Sequence, residues 1–144
     1  MDAFSVVAGV RDGLVIAVVE DRLAALDAAR GVRRWEVPLG GGGERWPVLE
    51  GDTVYVASAD DVTAVDATTG TTRWRVPVGP AVGRPVPVGD RLYVATRDRL
   101  LALDAASGRS LWTSARRRVV TGPLATPDGV VVATADGTLL GFAP

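Results

Sequence analysis

The chain has 144 residues, of which 47% are hydrophobic and 23% charged, and its formal net charge is −1. This size suits a single domain with a substantial hydrophobic core. The sequence contains no cysteine and no histidine, which excludes disulfides, thiolate metal sites and a histidine general base. All 16 basic residues are arginines. The near-neutral charge and the pI of about 5.4 predict neither a nucleic-acid partner nor a membrane surface.

The start of the chain, "MDAFSVVAGVRDG", lacks the basic and apolar regions of a signal peptide. No stretch approaches the roughly 18 apolar residues of a membrane span. The sequence as written therefore predicts a cytoplasmic protein. If it is part of a longer exported protein, an extracytoplasmic location is expected instead.

Short strands separated by turns are predicted along the whole chain. Stretches such as "PVLE", "VYVA" and "TAVD" are rich in β-branched residues, and Gly and Asp stand between them. No segment keeps a helical period for ten residues. In chain order, four units of such strands are predicted at about 6–39, 46–78, 84–114 and 121–144. The last unit stops after its third strand, so the prediction is an all-β fold of four-stranded antiparallel units.

The units share one motif, Ala-x-Asp-x-x-x-Gly-x-x-x-Trp, at 25–35, 64–74 and 102–112. A period of about 40 residues is typical of propellers and solenoids. Earlier in each unit, four alanines are predicted to occupy corresponding positions: Ala17, Ala57, Ala95 and Ala133.

Each copy of the motif predicts a turn followed by a packed tryptophan. The aspartate can accept hydrogen bonds from the N–H groups that follow it, and the glycine can adopt a positive φ. The tryptophan then lies on the outermost strand, covers the neighbouring unit and finds a partner for its indole N–H. The residues given this structural docking role are Asp27, Gly31, Trp35, Asp66, Gly70, Trp74, Asp104, Gly108 and Trp112.

These three copies resemble the tryptophan-docking motif of the PQQ-like β-propeller repeat. Similar repeats occur in quinoprotein alcohol dehydrogenases, in an outer-membrane assembly lipoprotein and in sensor domains of some bacterial Ser/Thr kinases. The resemblance implies β-propeller blades in a ring of seven or eight. The chain has about four blades, the last incomplete, and therefore matches half of an eight-bladed ring.

Quinone-dependent catalysis in this family implies acidic and amide ligands for a cation, a catalytic Asp and often a vicinal disulfide. The chain has no Cys, Asn or Gln, so we predict no enzyme activity, no cofactor and no metal. Asp60, Asp61 and Asp98 are interpreted as turn residues, because they lack the ligand count of a Ca²⁺ loop. The "GGGG" at 40–43 is interpreted as an inter-blade loop, because no helix follows it to complete a phosphate site.

A charged face is the candidate partner site. In a propeller, the loop that leads into each blade lies on the same face as the turn between that blade's second and third strands. Arginines cluster in both places and suit acidic protein segments or phosphorylated ligands, although the run at 116–118 also fits a solvated loop. The candidate partner-binding residues are Arg45, Arg84, Arg97, Arg99, Arg116, Arg117 and Arg118.

The leading hypothesis is a non-enzymatic propeller module for protein binding, scaffolding or sensing that self-associates. Half a ring leaves two blade faces bare, and a twofold-related second copy would cover both. We therefore predict a homodimer that closes an eight-bladed ring. One alternative is a fragment of a quinoprotein-like dehydrogenase propeller that lacks its catalytic residues, and another is an assembly element whose main property is ring formation.

Overall fold

The computed structural model describes residues 5–39, 44–114, 118–127 and 129–142, with only the backbone of Ser5. All regular secondary structure in these ranges is β-strand, in agreement with the predicted fold class. None of the described residues belongs to a helix of the length and apolar character that crossing a bilayer requires.

Fifteen strands of the described residues form four antiparallel sheets, each of which pairs its strands in chain order. The first sheet, blade 1, contains β1 (Ser5–Arg11), β2 (Leu14–Val19), β3 (Arg22–Asp27) and β4 (Arg33–Pro38). Blade 2 contains β5 (Trp46–Glu50), β6 (Thr53–Ala57), β7 (Asp61–Asp66) and β8 (Thr72–Pro77). Blade 3 contains β9 (Val86–Val88), β10 (Arg91–Ala95), β11 (Leu100–Asp104) and β12 (Ser110–Thr113). Blade 4 has three strands, β13 (Leu124–Thr126), β14 (Gly129–Ala133) and β15 (Leu139–Phe142).

Three hydrophobic layers join consecutive blades, because side chains alternate between the two faces of each strand. The layer between blades 1 and 2 includes Ile16 and Val18 on one side and Val54 and Val56 on the other. The next layer joins Tyr55 and Ala57 to Leu92 and Val94, and the third joins Tyr93 and Ala95 to Val130 and Val132. The middle strands of a blade therefore bury both faces only when a blade lies on each side.

The predicted equivalence of the four alanines is wrong for the first repeat. Within the sheets, Ala57 pairs with Val62 and Ala95 with Leu100, whereas the pair in the same place in blade 1 is Val18 with Leu23. The turns agree, since Gly13 O accepts from Ala28 N just as Asp52 O accepts from Ala67 N. Val18 thus corresponds to Ala57. The first repeat is therefore 39 residues long, one more than the 38 residues from Ala57 to Ala95, whereas a match of Ala17 with Ala57 would make it 40. Matching alanines by identity placed Ala17 on the wrong face, because a shift of one residue reverses the side chain.

Blade 1 has a face that no other described blade covers. Ile16 and Val18 point towards blade 2, so Val15 and Ala17 lie on the opposite face. Their cross-strand partners on β1 are Val10 and Val7, which are 64% and 53% exposed. We call this surface the first flank.

The outer part of the first flank is polar. Glu36 of β4 lies opposite Ala24 of β3, and its carboxylate accepts hydrogen bonds from Arg22, at 2.6 Å, and from Arg33. The first flank therefore has an apolar inner half and a charged rim.

Blade 4 has a second uncovered face. Val130 and Val132 point towards blade 3, so Val131 and Ala133 face the other way. Their partners across the sheet are Leu124 and Leu139, which are 66% and 71% exposed. We call this surface the fourth flank; Val120, which is half exposed, donates its N–H to Ala133 O beside it.

Tyr93 offers a test of the packing between blades 3 and 4. Its side chain is almost fully buried, and its hydroxyl finds no hydrogen-bond partner among the described residues. A buried polar group without a partner costs about 1–3 kcal/mol, so Tyr93→Phe should raise the free energy of unfolding by about 1 kcal/mol in urea denaturation. The control is Tyr55→Phe, because the hydroxyl of Tyr55 interacts with Thr53 and its removal should not stabilise the protein. A loss of stability in Tyr93→Phe would show that this hydroxyl is satisfied.

Candidate partner-binding face

The turns between the third and fourth strands have the same geometry in the three complete blades. A carboxylate oxygen of each aspartate accepts from the backbone N–H groups two and three residues later, at 2.8–3.2 Å. The N–H of each glycine donates to the backbone carbonyl of the same aspartate, and φ of the glycine lies between 69° and 77°. These residues are Asp27 with Gly31, Asp66 with Gly70, and Asp104 with Gly108.

Two of the tryptophans lie against the turn of the next blade. The indole N–H of Trp35 donates to Ala67 O at 3.1 Å, and that of Trp74 donates to Ala105 O at 3.0 Å. The rings lie directly over glycines: a Cβ added at Gly70 would be 2.7 Å from the Trp35 ring. Each contact between neighbouring blades therefore combines two copies of the motif, with the tryptophan of one blade packed on the glycine of the next.

The two ends of the array break this pairing. Trp112 is 39% exposed, compared with 8% for Trp74, and its ring meets the edge of Phe142 at a centroid distance of 5.0 Å. At the other end, nothing lies within 4 Å of a Cβ added at Gly31. Among the described residues, Trp112 of blade 3 therefore has no glycine of a next blade beneath its ring, and Gly31 of blade 1 has no tryptophan of a preceding blade above it.

An ion pair reinforces the turn of blade 2. Arg73 Nη2 lies 2.9 Å from Asp66 Oδ2 and 3.3 Å from Asp52 Oδ2. The Arg73 hydrogen bond, followed by the N–H groups of Thr69 and Thr68, lowers the pKa of Asp66 to about 2. The same guanidinium lowers the pKa of Asp52.

Because the folded pKa of Asp66 lies below its unfolded value of about 3.9, its carboxylate stabilises the fold above about pH 4. This contribution should be lost as the pH falls from about 4 towards 2. We expect Asp66→Asn to lose less stability than the wild type between pH 4.5 and pH 2.5, measured by urea denaturation at both values. Identical losses in the two proteins would contradict a depressed pKa at Asp66.

Those predicted partner-binding arginines that the structure describes lie in loops and turns that meet at one face. The loop after β8 reaches the two neighbouring turns, since Ala81 N donates to Ser58 O and Arg97 N donates to Pro80 O, both at 3.1 Å. The loop before β13 repeats this arrangement, with Val119 N on Arg97 O and Ala135 N on Arg118 O. The inter-blade loops and the turns between second and third strands therefore share a face, which we call the loop face.

Individual arginines on the loop face differ in their surroundings. Arg84, Arg97 and Arg118 are exposed, whereas Arg45 and Arg99 are partly buried. Arg45 Nη1 lies 3.5 Å from Glu20 O, and Arg99 Nε is buried without a hydrogen-bond partner among the described residues. Arg116 and Arg117 lie outside the described residues, as does the 40–43 loop.

A cavity of about 560 Å³ opens on the loop face beside Arg45 and Arg84. Two carboxylates, Glu20 and Glu44, line it together with these arginines, and Trp46 contributes to its wall. The sequence prediction considered only the arginines and missed these three residues. The sequence "ERW" at 44–46 was the available signal, because it places a carboxylate, a guanidinium and an indole on consecutive residues where blade 2 begins.

The aspartates of the loop face serve the turns. Asp61 Oδ1 accepts from Ser58 Oγ at 3.2 Å, and Asp98 Oδ1 accepts from Thr96 Oγ1 at 3.0 Å. Among the described residues, no three Asp or Glu side chains are grouped closely enough to hold a metal ion.

Sequence comparison extends the repeat to almost the whole chain. The model of the family described as outer membrane protein assembly factor BamB, a PQQ-type repeat family, matches residues 3–62 and 58–144. The chain belongs to this family. The resemblance to the PQQ-like β-propeller repeat is thereby confirmed. No curated protein sequence matches the chain.

Solved structures show the same architecture. BamB from Moraxella catarrhalis is 25% identical, with a TM-score of 0.78 over 96% of this chain and 47% of BamB. The chain thus spans about half the length of that BamB. The computationally designed Ika4 protein is 14% identical, with a TM-score of 0.77 over 96% of this chain and 91% of Ika4. A europium-containing methanol dehydrogenase is 16% identical, with a TM-score of 0.62 over 80% of this chain and 26% of the dehydrogenase. The last two likenesses concern the fold alone.

Proposed function

We propose that the chain is a non-enzymatic β-propeller module for protein binding and scaffolding, and that a second copy completes its ring. The observation that carries this proposal is the pair of uncovered apolar surfaces, the first and fourth flanks. Every inner blade face is buried against a neighbour, whereas Val10 and Leu139 on the flanks are 64% and 71% exposed. Contiguous exposed apolar surface of this kind marks an interaction site.

The two flanks are complementary because they are equivalent to blade faces that pack against each other within the chain. The first flank is the face of blade 1 that is equivalent to the face of blade 2 packed against blade 1. The fourth flank is the face of blade 4 that is equivalent to the face of blade 1 packed against blade 2. A twofold axis along the ring would bring the first flank of each copy onto the fourth flank of the other. Eight blades result, with every blade face covered.

The charged rim of the first flank is compatible with such an interface. Arg75 occupies the corresponding place in blade 2, opposite Thr63 on the neighbouring strand. It donates to Thr63 Oγ1 at 3.1 Å and to the Pro38 carbonyl of blade 1 at 3.3 Å. A polar rim around an apolar centre is also the usual anatomy of protein interfaces.

The loop face is the proposed surface for other proteins. The family is described as an outer membrane protein assembly factor, and membership in it supports a role through protein partners here as well. Exposed guanidiniums at Arg84, Arg97 and Arg118 are available to acidic groups of a partner.

Charge placed on the fourth flank should break the dimer. We expect the double variant Leu124→Arg with Leu139→Arg to weaken self-association at least tenfold in sedimentation velocity, because two unpaired charges would be buried in the interface. The thermal midpoint of the isolated chain should change little, since both side chains are exposed.

The matched control is Leu111→Arg, at an exposed leucine on the outer strand of blade 3, away from both flanks. Equal weakening by this variant, or no weakening by the double variant, would contradict self-association through the flanks. Dye reduction that depends on added quinone, Ca²⁺ and an alcohol would overturn the non-enzymatic part of the proposal.

A further inference from the structure

The cavity on the loop face has the dimensions of a ligand site. Its volume of about 560 Å³ falls within the roughly 300–1,000 Å³ of small-molecule pockets. Its apolar lining comes from Val6 of β1, Val18 of β2 and Trp46 of β5. Blades 1 and 2 thus both contribute regular strands to the site, which fixes these side chains more firmly than loops alone would.

Three of the charged side chains around the cavity, those of Glu20, Glu44 and Arg84, are not neutralised by one another. The side chains of Glu20, Glu44 and Arg84 line it, and none of them forms an ion pair or hydrogen bond with another described residue. Elsewhere, neighbouring opposite charges do pair, as Arg22 does with Glu36 at 2.6 Å and Arg73 with Asp66 at 2.9 Å. Both signs of charge are therefore available to a ligand in the cavity.

The backbone at Glu20 explains in part why its carboxylate is not paired with a neighbouring arginine. Arg45 reaches across the cavity wall to the carbonyl of Glu20, at 3.5 Å, instead of its carboxylate. Glu20 has a positive φ of 56° in the two-residue turn between β2 and β3. Its side chain is exposed and remains free to meet a cation.

We propose that this cavity binds a peptide segment with a cationic side chain and an anionic side chain on either side of an apolar residue. The cation is taken by Glu20 and Glu44 beside the indole of Trp46, where carboxylates and an aromatic ring act together. The anion is taken by the guanidinium of Arg84, and the apolar residue contacts Val6 and Val18. The inference deepens the proposed protein-binding function of the loop face and does not depend on ring closure.

Ligands of a single charge fit less well. A purely acidic segment would bring its second carboxylate towards Glu20 or Glu44, and like charges at contact distance repel. A purely basic segment would meet the same obstacle at Arg84 and Arg45. The mixed lining therefore selects a mixed ligand, which differs from the acidic partner that the arginines alone predict.

The test is calorimetric titration of the 144-residue chain with the peptide acetyl-Ser-Lys-Val-Glu-Ser-amide. Two matched peptides replace either the lysine or the glutamate with glutamine. We expect saturable binding of the parent peptide and at least tenfold weaker binding of each matched peptide. The variants Arg84→Ala and Glu44→Gln should weaken parent binding at least fivefold, and Arg109→Ala, at an exposed arginine in the turn before β12, should leave it unchanged.

Absence of binding by the parent peptide, or equal binding of all three peptides, would overturn the inference. Equal loss in Arg109→Ala would show non-specific charge attraction and would overturn it as well. The solution mass of each variant separates this result from ring closure: a dimer that ignores the peptide refutes the cavity alone, and a monomer that binds it refutes the ring alone.

Discussion

Replacing Trp74 with alanine should lower the free energy of unfolding by about 3–5 kcal/mol, the cost of deleting a large aromatic side chain from a core. Trp74 is 8% exposed, and its ring covers Gly108 of the next blade while its indole N–H bonds to Ala105 O. The variant therefore loses apolar burial, a hydrogen bond and the contact between blades 2 and 3. Urea denaturation followed by far-UV circular dichroism measures the change.

The control for Trp74→Ala is Trp112→Ala. Trp112 occupies the same place in its repeat but is 39% exposed, and its described ring contact is the edge of Phe142. We expect this variant to lose less than about 1.5 kcal/mol, since exposed sites contribute little. Equal losses at the two positions would contradict docking between blades as the source of the Trp74 effect.

Gly108→Ala should have the second largest effect, a loss of about 2–5 kcal/mol. With φ at +76°, any residue with a Cβ costs roughly 1–2 kcal/mol. The new Cβ would also lie 2.6 Å from the Trp74 ring, so the tryptophan must move, and overpacking of this kind costs about 1–3 kcal/mol more. The loss can be measured in the same denaturation experiment.

Gly31→Ala separates the two causes. Gly31 has nearly the same backbone, with φ at +69°, but no atom lies within 4 Å of its added Cβ. This variant should show the backbone cost alone, about 1–2 kcal/mol. If Gly31→Ala and Gly108→Ala lose the same free energy, the contact between glycine and tryptophan contributes nothing measurable.

The sequence predicted the parts of the fold that repeat. Alternating β-branched residues, Gly and Asp turns and the spacing of Trp35, Trp74 and Trp112 were enough to give four antiparallel sheets, because each feature acts within one blade or between neighbours. The register of β2 was not predictable from matching alanines. It depends on which residue closes the turn at Gly13, and small side chains occur on both faces of blade 1.

The candidate site was predictable only in part. The topology of a propeller places Arg45, Arg84 and Arg97 on one face whatever their neighbours are. The mixed charge of the cavity depends on Glu20 and Glu44, which belong to different loops and come together only through the packing of blades 1 and 2. The charged rim formed by Glu36 with Arg22 and Arg33 is likewise a product of strand pairing, which composition alone does not reveal.

The solution mass of the purified chain tests ring closure most directly. Light scattering coupled to size exclusion, at micromolar concentrations, should give twice the 15.0 kDa of one chain, with the mass falling towards that of one chain on strong dilution. A mass of 15.0 kDa that does not change with concentration would contradict a second copy on the first and fourth flanks.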